Sequence, residues 1–136
     1  MPANTAPIFP RQPDIAWATL TAANTAKDGT GTVATVFTAD ATNGSRIDYL
    51  RIKPLGTNVA SVLRVFINNG STNATAANNS MIEDITLPAT TNSEAAQLSA
   101  IILNLDLSLP AGYKINVVLG TAIAAGVAVT ACGGDY

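Results

Sequence analysis

The chain contains no histidine and only one cysteine, Cys132, in 136 residues. Without histidine neither a Ser-His-Asp nor a Cys-His nucleophile pair can form, and the commonest transition-metal ligand is missing as well. A zinc-type site needs several Cys or His residues, so neither a metal nor a cofactor is expected. One cysteine cannot make an intrachain disulfide. Among small residues Cys132 reads as a buried small apolar side chain, with a reactive thiol as the alternative. Charge is scarce too: 12% of residues are charged, against about 25% in an ordinary soluble domain. With a net charge of −2 the chain lacks the basic balance that phosphate neutralisation requires, so nucleic acid is not an expected partner. The longest apolar runs, such as 120–129, are broken by Gly and Thr and fall short of the roughly 20 residues a membrane helix needs, so no membrane partner is expected. The first residues show no basic region leading into an apolar one, so no signal peptide is expected.

What is present in quantity is alanine, threonine, asparagine and serine, with 48% of residues hydrophobic. Such a surface is uncharged, rich in hydrogen-bonding groups and low in side-chain entropy. It suits a protein that packs against copies of itself, and it is equally a β-rich composition. The length corresponds to one domain with a sizeable core.

Residues 1–13 carry four prolines, at 2, 7, 10 and 13. Proline fixes φ and biases the preceding residue toward extended geometry, so this stretch reads as an extended N-terminal arm. Ile8 and Phe9 are its only bulky apolar groups. Either they dock on a surface, such as that of a neighbouring subunit, or the arm frays.

Residues 14–136 read as a single β domain. The first strand runs from Asp14, with Ile15, Trp17 and Thr19 on one face and Ala16, Ala18 and Leu20 on the other. Lys27-Asp28-Gly29 marks a turn, and 32–38 forms a second strand with Val33, Thr35 and Phe37 on one face. Asn43-Gly44 is the next turn signal. Strands over 46–53 and 60–68, joined through Pro54-Leu55-Gly56, read as a hairpin. The second of these is apolar on both faces, as expected of a strand covered on both sides. The stretch 68–80 (NNGSTNATAANNS) has no apolar anchor larger than alanine and is expected to project into solvent.

The fifth strand, 81–87, places Met81, Glu83, Ile85 and Leu87 on one face. The sixth, 99–109, has the clearest alternation in the chain: Ile101, Leu103, Leu105, Leu107 and Leu109 against Ile102, Asn104, Asp106 and Ser108. Pro88 and Pro110 stand where these strands must leave their sheet. A seventh strand opens at Gly112, and an eighth covers 127–132. Only 93–100 has enough helix formers for one or two helical turns. Eight short strands separated by turn signals predict an all-β, eight-stranded antiparallel β-sandwich. Eight is also the strand count of a jelly roll, so the expectation is a jelly-roll-like sandwich with an extended proline-rich arm.

No residues compose a catalytic constellation, and the chain is not expected to be an enzyme. Glu83 and Asp84 are adjacent in a strand, point to opposite faces and cannot share one site. Asp48, Asp84 and Asp106 are expected to oppose Arg46, Arg51, Arg64 or Lys114 across strands or subunits. Alternation places Trp17 and Tyr113 in the core. Tyr49 shares a face with Arg51 and Lys53, which leaves it exposed or at an interface. Four of the seven basic residues, Arg46, Arg51, Lys53 and Arg64, fall within 44–70. With Tyr49 as aromatic anchor they form a candidate docking strip.

The runs TAANTAKDGTGTVATVFTAD from Thr21, GSRIDYLRIKPLGTN, VLRVFINNGS and LPAGYKINVVLGT resemble small virion proteins of tailed bacteriophages, of the capsid decoration or cement class. The resemblance spans roughly 16–136, and its motifs are turns and strands. It implies a β-sandwich that forms a homotrimer and bridges capsomers of the major capsid protein on the outer capsid surface, made in the cytoplasm of a host bacterium. A head-fibre or tail-associated adhesin that binds glycans through its loops is the competing expectation.

Overall fold

Strands that alternate apolar and polar residues can bury one face only by pairing into sheets and stacking two of them. The computed structural model describes residues 9–136 and contains eight strands. They are β1 (Gln12–Leu20), β2 (Ala34–Thr38), β3 (Ser45–Pro54), β4 (Ser61–Asn68), β5 (Asn79–Leu87), β6 (Ile101–Leu109), β7 (Lys114–Leu119) and β8 (Val127–Asp135). All pair antiparallel in two four-stranded sheets, ordered β1-β8-β3-β6 and β2-β7-β4-β5. Among the described residues there is no α-helix, only a 3-10 turn at Ala76–Asn78. The stretch 93–100 forms bends rather than the short helix its composition allows.

Between the sheets lies one core, in which Ile47, Leu50 and Ile52 of β3 face Leu63 and Val65 of β4 and Ile115 and Val117 of β7. β3 and β4 therefore lie in opposite sheets and are not a hairpin. Both present an apolar face, and those faces are buried by stacking on each other. Every connection crosses from one sheet to the other except β4–β5, which is paired within its own sheet.

Both ends of the chain extend further into strand than expected. β1 takes in Gln12 and Pro13. It is an edge strand, so the missing N–H of Pro13 need not face a partner. β8 runs on through Gly133 and Gly134, pairing with β1 and β3. A Cβ on Gly133 would fall on the Arg46 carbonyl oxygen, so glycine permits the close approach that keeps the ladder intact.

Bulges account for the remaining departures from simple alternation. One at Val36 turns both Val36 and Phe37 inward, replacing the expected Val33/Thr35/Phe37 face. Another in β5 brings Ile82, Ile85 and Leu87 to the core and leaves Met81 38% exposed. A bulge inserts one residue and so reverses the facing of everything beyond it.

The asparagine-rich connection between β4 and β5 does not project freely. It is stitched to the β1–β2 connection: Asn73 Nδ2 donates to the carbonyls of Gly29 (3.1 Å) and Gly31 (2.8 Å), and Asn79 Nδ2 donates to those of Asp28 (3.1 Å) and Asn73 (2.9 Å). Gly29 is in the left-handed region, φ +80°, and a Cβ there would stand 2.6 Å from Asn79 Cβ. Asparagine carries both a donor and an acceptor, so it can anchor a loop that has no apolar side chain to bury. Asn79→Ala is expected to cost about 1–2 kcal/mol and to speed amide exchange across 69–78. Urea unfolding with hydrogen-exchange mass spectrometry reads both, and unchanged exchange there would refute the stitching.

Candidate docking face

The outward surfaces of the two sheets differ in kind. On the second sheet Phe66, Asn116 and Val118 alternate with the core residues and so point away from the core, yet each is at most 3% exposed. The β1–β2 connection runs along this sheet, with Asn24 N–H donating to the Leu119 carbonyl at 2.8 Å, and is joined there to the asparagine-rich loop. This face is already occupied by the chain itself.

The outward face of the first sheet is bare. Strand register lines up Ile15, Cys132, Tyr49 and Asn104 in one row and Trp17, Thr130, Arg51 and Ile102 in the next. Trp17 is 69% exposed and Ile15 58%. Trp17 and Arg51 stand two strand spacings apart, about 10 Å, with only a threonine between them. The expectation that Trp17 packs in the core is therefore overturned. The core-facing residues of β1 are Ala16, Ala18 and Leu20, and β1 lies beside β2 at this margin of the sandwich.

Of the residues expected to form the docking strip, Arg46, Tyr49, Arg51 and Lys53 do share this face, helped by a bulge at Asp48 that keeps Arg46 outward. Arg64 does not join them. It lies on β4 in the other sheet, half-buried, with Nη1 buried and without a hydrogen-bond partner among the described residues. Two of the three cations on the bare face are engaged within the chain. Arg46 pairs with Asp48 (2.9 Å) and Asp106 (3.4 Å), the only ion pairs among the described residues. Lys53 Nζ donates to the Leu98 carbonyl. Arg51 is exposed and has no ion-pair partner among the described residues.

Cys132 is half-exposed on this face rather than buried. A hydrogen bond with its thiol, followed by the charge that thiol can carry, pushes the Tyr49 phenol above its usual value. Phe9, just before β1, is 72% exposed, and Ile8 lies outside the described residues. Arg11 N–H donates to the Asp135 carbonyl at 2.7 Å and so continues the β1–β8 ladder beyond Gln12.

Comparison with protein-family models, curated proteins and solved structures finds no match for the chain. Its geometry alone supports a contact surface with an aromatic and aliphatic centre, Trp17, Ile15, Tyr49 and Ile102, one uncommitted cation and a polar surround. That composition is typical of the energetic centre of a protein interface. Among the described residues no group of three or more His, Cys, Asp or Glu side chains could hold a metal, and no helix is long and apolar enough to cross a membrane.

At the end of the sandwich where β1 begins, Asp14 faces Asp135, and Ser45 Oγ donates to Asp135 Oδ1 at 2.5 Å. Burial first, then the neighbouring Asp135 carboxylate, raises the Asp14 carboxyl above 3.8. The folded chain thus holds this proton more tightly than the unfolded one. The resulting stabilisation is complete below pH 3.8 and is lost as pH rises through the raised folded value. Asp14→Asn is therefore expected to be more stable than the parent at neutral pH, with the gap closing in acid. Thermal melts between pH 3 and pH 7 measure it, and a gap that does not depend on pH would refute this linkage.

Proposed function

We propose that this chain is a structural, non-catalytic virion protein of a tailed bacteriophage, a capsid decoration or cement protein. It would be made in the host cytoplasm and would self-associate, as a homotrimer by the resemblance, on the outer capsid surface, bridging capsomers of the major capsid protein. The observation that carries this reading is the bare outward face of the first sheet. A chain with so few charges leaves Trp17, Ile15, Tyr49 and Arg51 facing solvent on one sheet while its own loops cover the other. Exposed apolar patches of this kind mark interaction surfaces. A cement role suits them, because modest contacts repeated by symmetry add up to stable attachment. The jelly-roll reading is supported by eight strands ordered β1-β8-β3-β6 over β2-β7-β4-β5, with crossovers between sheets at all connections but one.

The decisive experiment is cryo-electron microscopy of empty capsid shells of the phage that encodes the chain, with and without added protein. Stoichiometric density on the outer lattice is expected, and its absence at saturating protein would refute the assignment. The exposure of Trp17 also favours a second reading, a glycan-binding adhesin with Trp17 and Tyr49 as stacking platforms. Hits on a glycan array together with no binding to shells would favour it over the first.

A further inference from the structure

The two margins of the sandwich are unlike. β1 lies against β2 and closes one side. At the other side Ile82 and Ile85 of β5 and Leu103, Leu105 and Leu107 of β6 pack against the core but remain partly exposed. This aliphatic stripe leads into a cavity of about 360 Å³ where β5 ends at Leu87 and β6 begins at Ile101. Ile52, Leu98, Ile123 and Val127 help to wall it, Gln97 and Ser99 supply polar groups, and no charged side chain lines it. An occupant should therefore be apolar and uncharged. If it is a peptide, it should also be extended, because the stripe leading in follows the straight course of β6.

The chain carries an apolar, uncharged segment in Pro7-Ile8-Phe9-Pro10, in which proline restricts φ at both ends. Within one chain Phe9 cannot reach the cavity. Gln12 lies level, through Asp135 and Ser45, with Leu109 at the far end of β6. The cavity is eight residues back along that strand, about 27 Å, and three strands across. Three residues from Gln12, Phe9 reaches at most about 11 Å.

We propose that the cavity and the β5/β6 margin receive the Pro7–Pro10 segment of a second copy of this chain, with Phe9 seated in the cavity. The inference rests on the self-association in the functional reading above. Donor segment and acceptor cavity are different surfaces, so the contact repeats head-to-tail and gives a ring where the rotation between copies closes. A proline-rich segment loses little freedom on docking, which favours exchange between copies.

The full chain carrying Cys132→Ala, Phe9→Cys and Val59→Cys is the test. Val59 lines the cavity and is 59% exposed, so its replacement leaves the core intact. Mild oxidation should link chains to one another, and pairing Phe9→Cys with Ile102→Cys on the outward face should not. In sedimentation, Phe9→Ala and Val59→Trp should each weaken self-association at least tenfold. A chain that stays monomeric at every concentration overturns both self-association and this inference. A chain that associates but links Phe9 within one molecule or to Ile102, or that ignores both single substitutions, overturns the inference alone.

Discussion

Asn58→Ala is expected to destabilise the protein by about 3 kcal/mol, although the residue lies in a loop. Asn58 is 8% exposed in the connection between β3 and β4. Its Oδ1 accepts from the N–H groups of Ala125 (3.0 Å) and Gly126 (3.2 Å), and its Nδ2 donates to the Gly126 carbonyl (2.9 Å). Its backbone bridges Thr90, whose N–H donates to the Asn58 carbonyl at 2.9 Å. One residue thus ties three connections together at the end of the sandwich: its side chain joins β3–β4 to β7–β8, and its backbone joins β3–β4 to β5–β6.

Alanine would leave the two N–H groups without this partner, while the Gly126 carbonyl keeps the Leu55 N–H at 3.0 Å. Each buried orphan costs about 1–3 kcal/mol, and water entering from the adjacent cavity offsets part of the sum. For a domain of this size the melting temperature should fall by roughly 10 °C. Asn58→Asp, which keeps the acceptor and loses the donor, should not restore full stability. A loss below about 1 kcal/mol for Asn58→Ala in urea unfolding would show that this end is held by something else.

Trp17→Ala should have the opposite profile, with little effect on folding and a large effect on docking. An exposed side chain away from the core changes stability by about 0.5 kcal/mol or less, whereas an aromatic at the centre of an interface contributes about 2 kcal/mol or more. Binding to capsid shells, followed by co-sedimentation, is therefore expected to weaken roughly 30-fold while the melting temperature holds. Arg51→Glu should also weaken binding, because Arg51 is the cation on this face with neither an ion pair nor a side-chain hydrogen bond among the described residues. Arg64→Glu should leave it unchanged, since Arg64 sits on the other sheet. Full binding by Trp17→Ala would remove the outward face of the first sheet as the docking surface.

The candidate face was only half legible beforehand. Tyr49, Arg51 and Lys53 could be placed together because they alternate within one strand. Trp17 and Ile15 were missed because residue size is a poor guide to facing in an edge strand. Both faces of β1 carry apolar residues, Ile15 and Trp17 on one and Ala16, Ala18 and Leu20 on the other, so alternation does not say which is buried. Arg64 falls outside the face for a different reason. A turn after Pro54 says that the chain reverses, not whether the next strand pairs beside the last or stacks across from it.

Sequence alone determined the all-β class, the number of strands and most of their positions, because local alternation and turn residues act over a few residues at a time. It also removed histidine-based chemistry outright. Tertiary structure alone decided which strands share a sheet, which face of β1 is buried, where bulges reverse the alternation and which outward face the chain's own loops cover. Those outcomes depend on long-range pairing. A one-residue bulge or the choice of a distant partner strand changes which side chains meet solvent without leaving any mark in the local pattern.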